Sequence, residues 1–140
     1  MISKLKINSS IHKYEVFFEK KINVIFKSFS KNTIFIVDKN VYNLFLKNIL
    51  QDKLYLTINS NEKSKDFHNL KKYINFFIKN VSKETKVVAI GGGVTQDVVS
   101  FVCSIYKRGV DWNFIPTTII SQSDSCIGGK TSINYNGVKN

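Results

Sequence analysis

Apolar and polar positions along this chain fall into blocks that predict strands and helices in alternation. Apolar and β-branched runs of strand length occupy 14–18, 33–37, 53–58, 87–90 and 112–115. Apolar residues spaced three and four positions apart over 41–49, 70–78 and 98–106 predict helices with one apolar face. The run INVIFKSF at 22–29 fits a strand or a short helix, and both interpretations stay open.

This alternation predicts an α/β fold, a Rossmann-like and mostly parallel sheet with flanking helices. In such a sheet, ligands bind beyond the carboxyl ends of the strands. The segments that follow the predicted strands include Asp38 and Asn40, the polar loop 59–65, the run 91–97 and the run 116–124. We therefore expect these segments to converge on one site.

Three consecutive glycines at 91–93 separate the apolar run 87–90 from the next helix. A turn without side chains lets backbone N–H groups and the positive end of the helix approach a phosphate, although the same glycines are also typical of a plain tight turn. Asp38 has two interpretations as well, as an acceptor for ribose hydroxyls or as the N-cap of the helix that follows. The pattern thus predicts a phosphate-binding edge, with a structural alternative for each of its parts.

Length and composition are those of one globular domain, since 140 residues with 43% hydrophobic content suffice for a core. The formal net charge is +11, but all of the 21 basic residues except Arg108 are lysines scattered singly or in pairs. That distribution is typical of a solvated surface, so we expect no nucleic-acid partner. The absence of a membrane-length apolar run and of a signal-peptide core predicts a cytoplasmic protein without a membrane partner. The spacing of Cys103 and Cys126 predicts two free thiols.

Small polar residues and glycine dominate the segment 117–140, which predicts a loop. Asp124, Lys130 and Lys139 lie in this segment, beside the expected phosphate-binding edge, an arrangement suited to an anionic substrate. Arg108 is the one arginine in a lysine-rich chain, which indicates either a position that needs a planar bidentate donor or a surface residue.

Five motifs in this order resemble those of the 3-dehydroquinate synthases and their sister sugar-phosphate cyclases: GGGVTQD at 91–97, YKRGV at 106–110, IPTT at 115–118, DSCIGGKTSIN at 124–134 and KN at 139–140. DKNV at 38–41 and NEKSK at 61–65 are similar to the family's earlier cofactor positions. The resemblance implies that residues 1–140 are an NAD-binding α/β domain, the N-terminal part of a two-domain enzyme. It also implies a helical second domain, absent from this chain, that binds a divalent metal, zinc or cobalt.

The site residues implied by the resemblance form a cofactor group and a substrate group. The NAD-binding group comprises Asp38, Asn40, Glu62, Lys65, Gly92, Gly93, Val94, Asp97, Thr117, Thr118, Lys130 and Lys139. The catalytic group comprises Arg108, Asp124, Lys130, Lys139 and Asn140, and no residue of the chain is implied as a metal ligand. Arg108 is similar to an arginine that reaches the substrate phosphate from the neighbouring subunit, which implies a homodimer.

The implied reaction is the cyclisation of a seven-carbon sugar acid phosphate, DAHP, to 3-dehydroquinate with elimination of phosphate, a lyase step of the shikimate pathway to aromatic amino acids. NAD takes a hydride from a secondary alcohol and later returns it, and the metal polarises that alcohol. These 140 residues are expected to be inactive by themselves.

Two departures from the family pattern leave alternatives open. Gln96 stands where the family usually has glycine, and 135–137 stands where it usually has a proline. Such changes are compatible with a sister cyclase that makes another cyclitol from another sugar phosphate. The absent metal domain is compatible with a non-catalytic NAD-binding fragment. Metal-dependent polyol dehydrogenases share the glycine turn, but the run after Thr118 follows the cyclase pattern.

Overall fold

The computed structural model describes residues 3–8, 13–127 and 130–139. The contacts within the chain divide it into two compact units, Met1–Lys31 and Asn32–Asn140. Length alone had predicted one domain. Each unit has its own sheet, so the two are described separately.

The first unit is a hairpin followed by a short helix. Its strands β1 (Ser3–Asn8) and β2 (Lys13–Phe18) pair antiparallel, and α1 (Ile22–Lys27) follows them. The ambiguous run at 22–29 is therefore helical over most of its length. The strand expected at 14–18 is confirmed, but β1 was not predicted because Leu5 and Ile7 are its only apolar residues.

Four parallel strands form the sheet of the second unit, in the order β4-β3-β5-β6. These strands are β3 (Thr33–Asp38), β4 (Leu54–Ile58), β5 (Lys86–Gly91) and β6 (Trp112–Pro116). Each lies on a predicted apolar run, and the parallel α/β fold is confirmed. β6 ends on Pro116, which has no backbone N–H to donate and is tolerated at an edge.

The helices of this unit lie where the apolar spacing predicts them. Their bounds are α2 (Lys39–Val41) with a π turn (Tyr42–Leu46), two 3-10 turns (Glu62–Lys65 and Phe67–Leu70) before α3 (Lys71–Asn80), and α4 (Gly93–Ile105) with a 3-10 turn (Tyr106–Arg108). The loop predicted over 117–140 contains a helical segment that was not predicted, a π turn at Ser121–Ser125. None of the helices in the described ranges has the length and apolar character that crossing a membrane requires.

The central strands β3 and β5 are buried on both sides of the sheet. Alternate residues of a strand face opposite sides, and one side packs against α3 and α4. That cluster contains Ile34, Ile36, Val87 and Ala89 from the strands and Tyr73, Phe77, Val98 and Val102 from the helices. This packing fixes the positions of the carboxyl ends of both strands.

A reversal of strand order lies between β3 and β5. The chain runs from β3 to β4 and then crosses back over β3 to β5. Since parallel crossovers are right-handed, this reversal sends the two connections to opposite faces and opens a crevice at the carboxyl ends of these strands. Asp38 ends β3 and Gly91 ends β5, and a Cβ built on Gly91 would lie 3.2 Å from Asp38 Cβ. The fold thus brings two of the predicted segments together.

Candidate functional site

The glycine turn joins β5 to α4, and its three residues differ in their surroundings. A Cβ on Gly91 would lie 2.5 Å from Thr95 Oγ1, and a Cβ on Gly92 would lie 2.9 Å from Thr118 Cγ2. Neighbouring side chains therefore pack directly on these two backbones. Apart from the neighbouring backbone of its own helix, no atom of the described residues lies within 4 Å of the Cβ position of Gly93, and none of their side chains caps the first turn of α4. This open, bare helix start fits a phosphate group.

Asp38 caps the helix that follows β3. Its Oδ1 accepts hydrogen bonds from the backbone N–H groups of Asn40 at 2.7 Å and Val41 at 3.1 Å, and its Oδ2 accepts one from Ser60 Oγ. The N-cap interpretation is therefore confirmed. A carboxylate has about four acceptor sites, so Asp38 keeps capacity for a ribose hydroxyl beside the glycine turn. Ser60 was not predicted as a site residue, because only the parallel pairing of β3 with β4 brings it to Asp38.

Thr117 and Thr118 continue β6 beyond the sheet edge. The Thr117 N–H donates to Gly91 O at 2.9 Å. The Thr118 N–H donates to Ser121 Oγ at 3.1 Å, and the Ser121 N–H donates to Thr118 Oγ1 at 3.2 Å. This reciprocal capping starts the helical turn that the loop prediction missed. Ser121 is 1% exposed. In the sequence, a threonine followed by a serine three positions later was the signal that could have predicted this helical turn.

Lys65, Glu62 and Asp97 form an ion-paired cluster. Lys65 Nζ lies 3.0 Å from Asp97 Oδ2 and 3.2 Å from Glu62 Oε1. Lys65 is only 9% exposed, so its ammonium is largely shielded from solvent, whereas the Glu62 side chain is 46% exposed. Three residues that the resemblance implies as cofactor contacts are thus partners of one another, and they join the turn after β4 to α4.

The surroundings of this cluster favour its charged forms. Asn134 Nδ2 donates to Glu62 Oε1 at 2.9 Å, and this hydrogen bond, together with the one from Lys65, lowers the pKa of Glu62. Burial acts to lower the pKa of Lys65, but hydrogen bonds to Asp97 and Glu62 outweigh it, and the pKa of Lys65 is raised. The charge of Lys139 also lowers the pKa of Glu62.

The segment 131–134 docks on the same cluster. The Ser132 N–H donates to Asp97 Oδ1 at 3.2 Å, and the Asn134 N–H donates to Lys65 O at 2.9 Å. Asn134 is 7% exposed and contacts both Glu62 and Lys65. Asn134 ends the DSCIGGKTSIN motif but is not among the predicted site residues.

The remaining expected contacts are more exposed. Asn40, Asp124, Lys130 and Lys139 are exposed and Val94 is half-buried. Asp124 lies on the turn that Thr118 caps, and Lys130 directly precedes the docked segment. Both side chains are therefore carried by segments anchored at this edge. Asn140 lies outside the described residues, as do the glycines at 128 and 129.

Arg108 is not brought to the other expected site residues. It follows the far end of α4, whose 13 residues span about 20 Å. Lys107 and Arg108 have φ angles of 48° and 68°, a left-handed conformation that costs on the order of 1–3 kcal/mol per residue. Lys107 Nζ donates to Val81 O at 3.1 Å, which holds this turn while the Arg108 side chain is exposed.

The described residues fit a nucleotide cofactor better than a metal ion. Residues 3–8, 13–127 and 130–139 contain no group of three or more His, Cys, Asp or Glu side chains able to hold a metal ion. The glycine turn, whose first residue Gly91 lies next to Asp38, does fit a dinucleotide, because its backbone N–H groups can donate to a phosphate and the Asp38 carboxylate can accept from a ribose.

Comparison with known proteins identifies related sequences. A family model described as 3-dehydroquinate synthase N-terminal matches residues 55–140. The chain is 36% identical over 143 residues to the 3-dehydroquinate synthase of Clostridium tetani, and 35% identical over 148 residues to that of Buchnera aphidicola. These alignments cover 92% and 96% of this chain but 38% and 40% of the relatives. The chain thus spans about two fifths of their length.

Solved structures with the same fold include a 2-deoxy-scyllo-inosose synthase and a 2-epi-5-epi-valiolone synthase. A 2-deoxy-scyllo-inosose synthase complexed with carbaglucose-6-phosphate, NAD+ and Co2+ matches with a TM-score of 0.82 at 21% identity, over 99% of this chain and 42% of that one. The 2-epi-5-epi-valiolone synthase ValA of Streptomyces hygroscopicus, with NAD+ and Zn2+ bound, matches with a TM-score of 0.65 at 27% identity, over 77% of this chain and 34% of that one. The first likeness concerns the fold alone.

Proposed function

This chain belongs to the 3-dehydroquinate synthase N-terminal family, and we propose that it is the NAD-binding part of an enzyme that converts DAHP to 3-dehydroquinate with elimination of phosphate. The relatives named 3-dehydroquinate synthase support this assignment. Because the chain spans about two fifths of their length, the activity is proposed for a full-length protein in which a metal-binding domain follows. The present residues alone are proposed to be inactive.

The observation that carries the cofactor assignment is the meeting of Asp38 with the glycine turn at the strand-order reversal. In this proposal, backbone N–H groups of Gly92, Gly93 and Val94 bind the pyrophosphate of NAD, and Asp38 accepts hydroxyls of the adenosine ribose. Asn40, Thr117 and Thr118 lie around them. The Lys65 cluster supports the same edge from the side of α4.

The substrate part of the proposal rests on charge. Lys130 and Lys139 would hold anionic groups of substrate and stabilise negative charge as it develops, while Asp124 and Asn140 orient hydroxyls. Bound NAD supplies the hydride acceptor and donor of the reaction. Zinc or cobalt in the following domain would polarise the alcohol that is oxidised.

Arg108 is proposed to act on the neighbouring subunit of a homodimer. Its place beyond the far end of α4 supports action in trans, since it lies about 20 Å from the glycine turn of its own chain. The held turn at Lys107 presents the guanidinium outward, where a planar fork suits a substrate phosphate.

Calorimetric titration of the full-length protein with NAD and NADP tests the cofactor site. NAD should bind more tightly, because the Asp38 carboxylate repels a 2′-phosphate. Tighter binding of NADP would contradict the role of Asp38. Phosphate release from DAHP in the presence of NAD and Zn2+ tests the reaction, and absence of release would contradict it.

A sister cyclase is the second candidate, and two observations favour it. Gln96 and 135–137 depart from the usual pattern of the 3-dehydroquinate synthases, and ValA, at 27% identity, makes a different cyclitol. Phosphate release measured in parallel with DAHP and with glucose 6-phosphate, the natural counterpart of the carbaglucose-6-phosphate bound in one neighbour, separates the candidates. Turnover of glucose 6-phosphate in preference to DAHP would replace the first assignment with the second.

A further inference from the structure

Gln96 makes a buried contact between α4 and the turn that carries Asp124. Its Nε2 donates to Ser125 O at 2.6 Å, a short distance for an N–H···O bond. Gln96 is 4% exposed. Its Oε1 has no hydrogen-bond partner among the described residues, so the described polar contact of this side chain is the one to Ser125.

The turn is otherwise held largely by bonds within itself. The Cys126 N–H donates to Ser121 O at 3.0 Å, and Cys126 Sγ donates to Gln122 O at 3.2 Å. Such bonds define the shape of the turn but do not fix its distance from α4. The bond from Gln96 does, because its donor and acceptor are 29 positions apart in the chain.

We infer that Gln96 is a positioning residue for the substrate side of the site, which holds the end of the 121–125 turn, and with it Asp124, against the helix that follows the glycine turn. The role of Asp124 rests on the proposed function, whereas the contact itself does not. Removing the donor leaves the Ser125 carbonyl without its partner, and the turn regains that hydrogen bond from water only by opening. Asp124 then moves relative to the nucleotide-binding edge.

Cys126 is a reporter of this opening, since it follows Ser125 directly. It is half-buried, whereas Cys103 is 1% exposed and burial raises its pKa to about 12. Cys103 is therefore protected from thiol reagents in the folded protein, because the thiolate is the reactive form. Modification of Cys126 measures local opening, and modification of Cys103 measures opening of the core.

The experiment follows the rate of iodoacetamide modification at each cysteine by peptide mass spectrometry in the full-length protein. Gln96→Met keeps the length and helix propensity of the side chain without an N–H donor, and Gln96→Glu keeps its shape. Gln122→Met is the matched control, since Gln122 is exposed on the same turn and its Nε2 lies 3.5 Å from Pro116 O. We expect the rate at Cys126 to rise about threefold to tenfold in both Gln96 variants, the factor expected for one hydrogen bond. The control should match the wild type.

A second readout separates positioning from a purely structural role. In the Gln96 variants kcat/KM for the sugar phosphate should fall while the Kd of NAD stays unchanged. Equal acceleration at Cys103 and Cys126, an unchanged rate at Cys126, or failure of both variants to fold would overturn the inference. If the wild type shows no turnover, the proposed function fails, but the comparison of modification rates still decides whether Gln96 holds the turn.

Discussion

The Lys65 ammonium lies 3.0 Å from the Asp97 carboxylate, and this ion pair joins the turn after β4 to the helix that follows the glycine turn. Lys65 also pairs with Glu62, which in turn accepts a hydrogen bond from Asn134. Three segments far apart in the chain therefore meet at one shielded cation. Side chains held in this way preorganise the edge at which NAD is proposed to bind.

Lys65→Met should destabilise the fold. The substitution leaves Asp97 and Glu62 without their cation, and loss of hydrogen bonds between charged groups costs about 1.5–3 kcal/mol. Lys63→Met is the matched control, because Lys63 is exposed on the same 3-10 turn. Urea unfolding curves measure both free energies of unfolding. Equal curves for the two variants would show that the ion pairs contribute no net stability.

The stabilisation by Lys65 should depend on pH in a defined way. The pKa of Lys65 is raised in the folded state, so its contribution is complete below the ordinary lysine value of about 10.4 and is lost as the pH rises through the folded pKa. The pKa of Glu62 is lowered, so its contribution is present above about pH 4.3 and is lost on acidification through the lower value. The difference in melting midpoint between wild type and Lys65→Met should therefore be largest between these limits. A difference that grows above pH 11 would contradict the assignment.

Gly93→Ala should weaken NAD binding without harming the fold. Apart from the backbone of its own helix, its Cβ meets no atom of the described residues within 4 Å, and alanine is favoured over glycine in a helix by roughly 1 kcal/mol, so the melting midpoint should stay or rise. The methyl group would occupy the approach proposed for the pyrophosphate, and Kd for NAD should rise on the order of tenfold or more. Gly92→Ala is the contrast, because its Cβ would lie 2.9 Å from Thr118 and should lower the midpoint as well. Unchanged NAD affinity in Gly93→Ala would remove the glycine turn from the cofactor site.

Lys130→Ala in the full-length protein should lower kcat on the order of a hundredfold or more, the loss typical of a preorganised electrostatic donor. Its melting midpoint should barely move, because Lys130 is exposed. Lys79→Ala, an exposed lysine at the end of α3, is the control for loss of one surface charge. Steady-state kinetics and a melting curve decide between the outcomes: unchanged kcat removes Lys130 from the site, and a collapsed midpoint makes its role structural.

Mixing two inactive variants tests whether Arg108 acts across subunits. If Arg108 acts on the neighbouring subunit, a mixed dimer of one Arg108→Ala chain and one Lys130→Ala chain has one site in which Arg108 and Lys130 are both intact. Random exchange of equal amounts should then restore about a quarter of the wild-type activity, because half of the dimers are mixed. Each variant carried through the same procedure alone is the control. No recovery after verified subunit exchange would contradict action in trans.

The fold could be predicted to a large extent from local patterns. The parallel strands, the three long helical segments and the glycine turn are each encoded within a stretch of neighbouring residues. The misses are local as well. β1 has only two apolar residues. The turn at 121–125 is started by hydrogen bonds between Thr118 and Ser121, and the small polar residues that make these bonds are also typical of loops.

The sequence by itself determined the class of fold, the family and the edge of the sheet at which a ligand is expected to bind, because apolar periodicity and ordered motifs are properties of the linear chain. Only the tertiary structure decided which residues touch there. Lys65 meets Asp97, Asn134 meets Glu62, and Gln96 meets Ser125, each pair separated by many residues. It also decided that Arg108 lies away from the glycine turn. These relations depend on strand order and on the handedness of the crossovers, which set the distances between elements, and no local pattern specifies them.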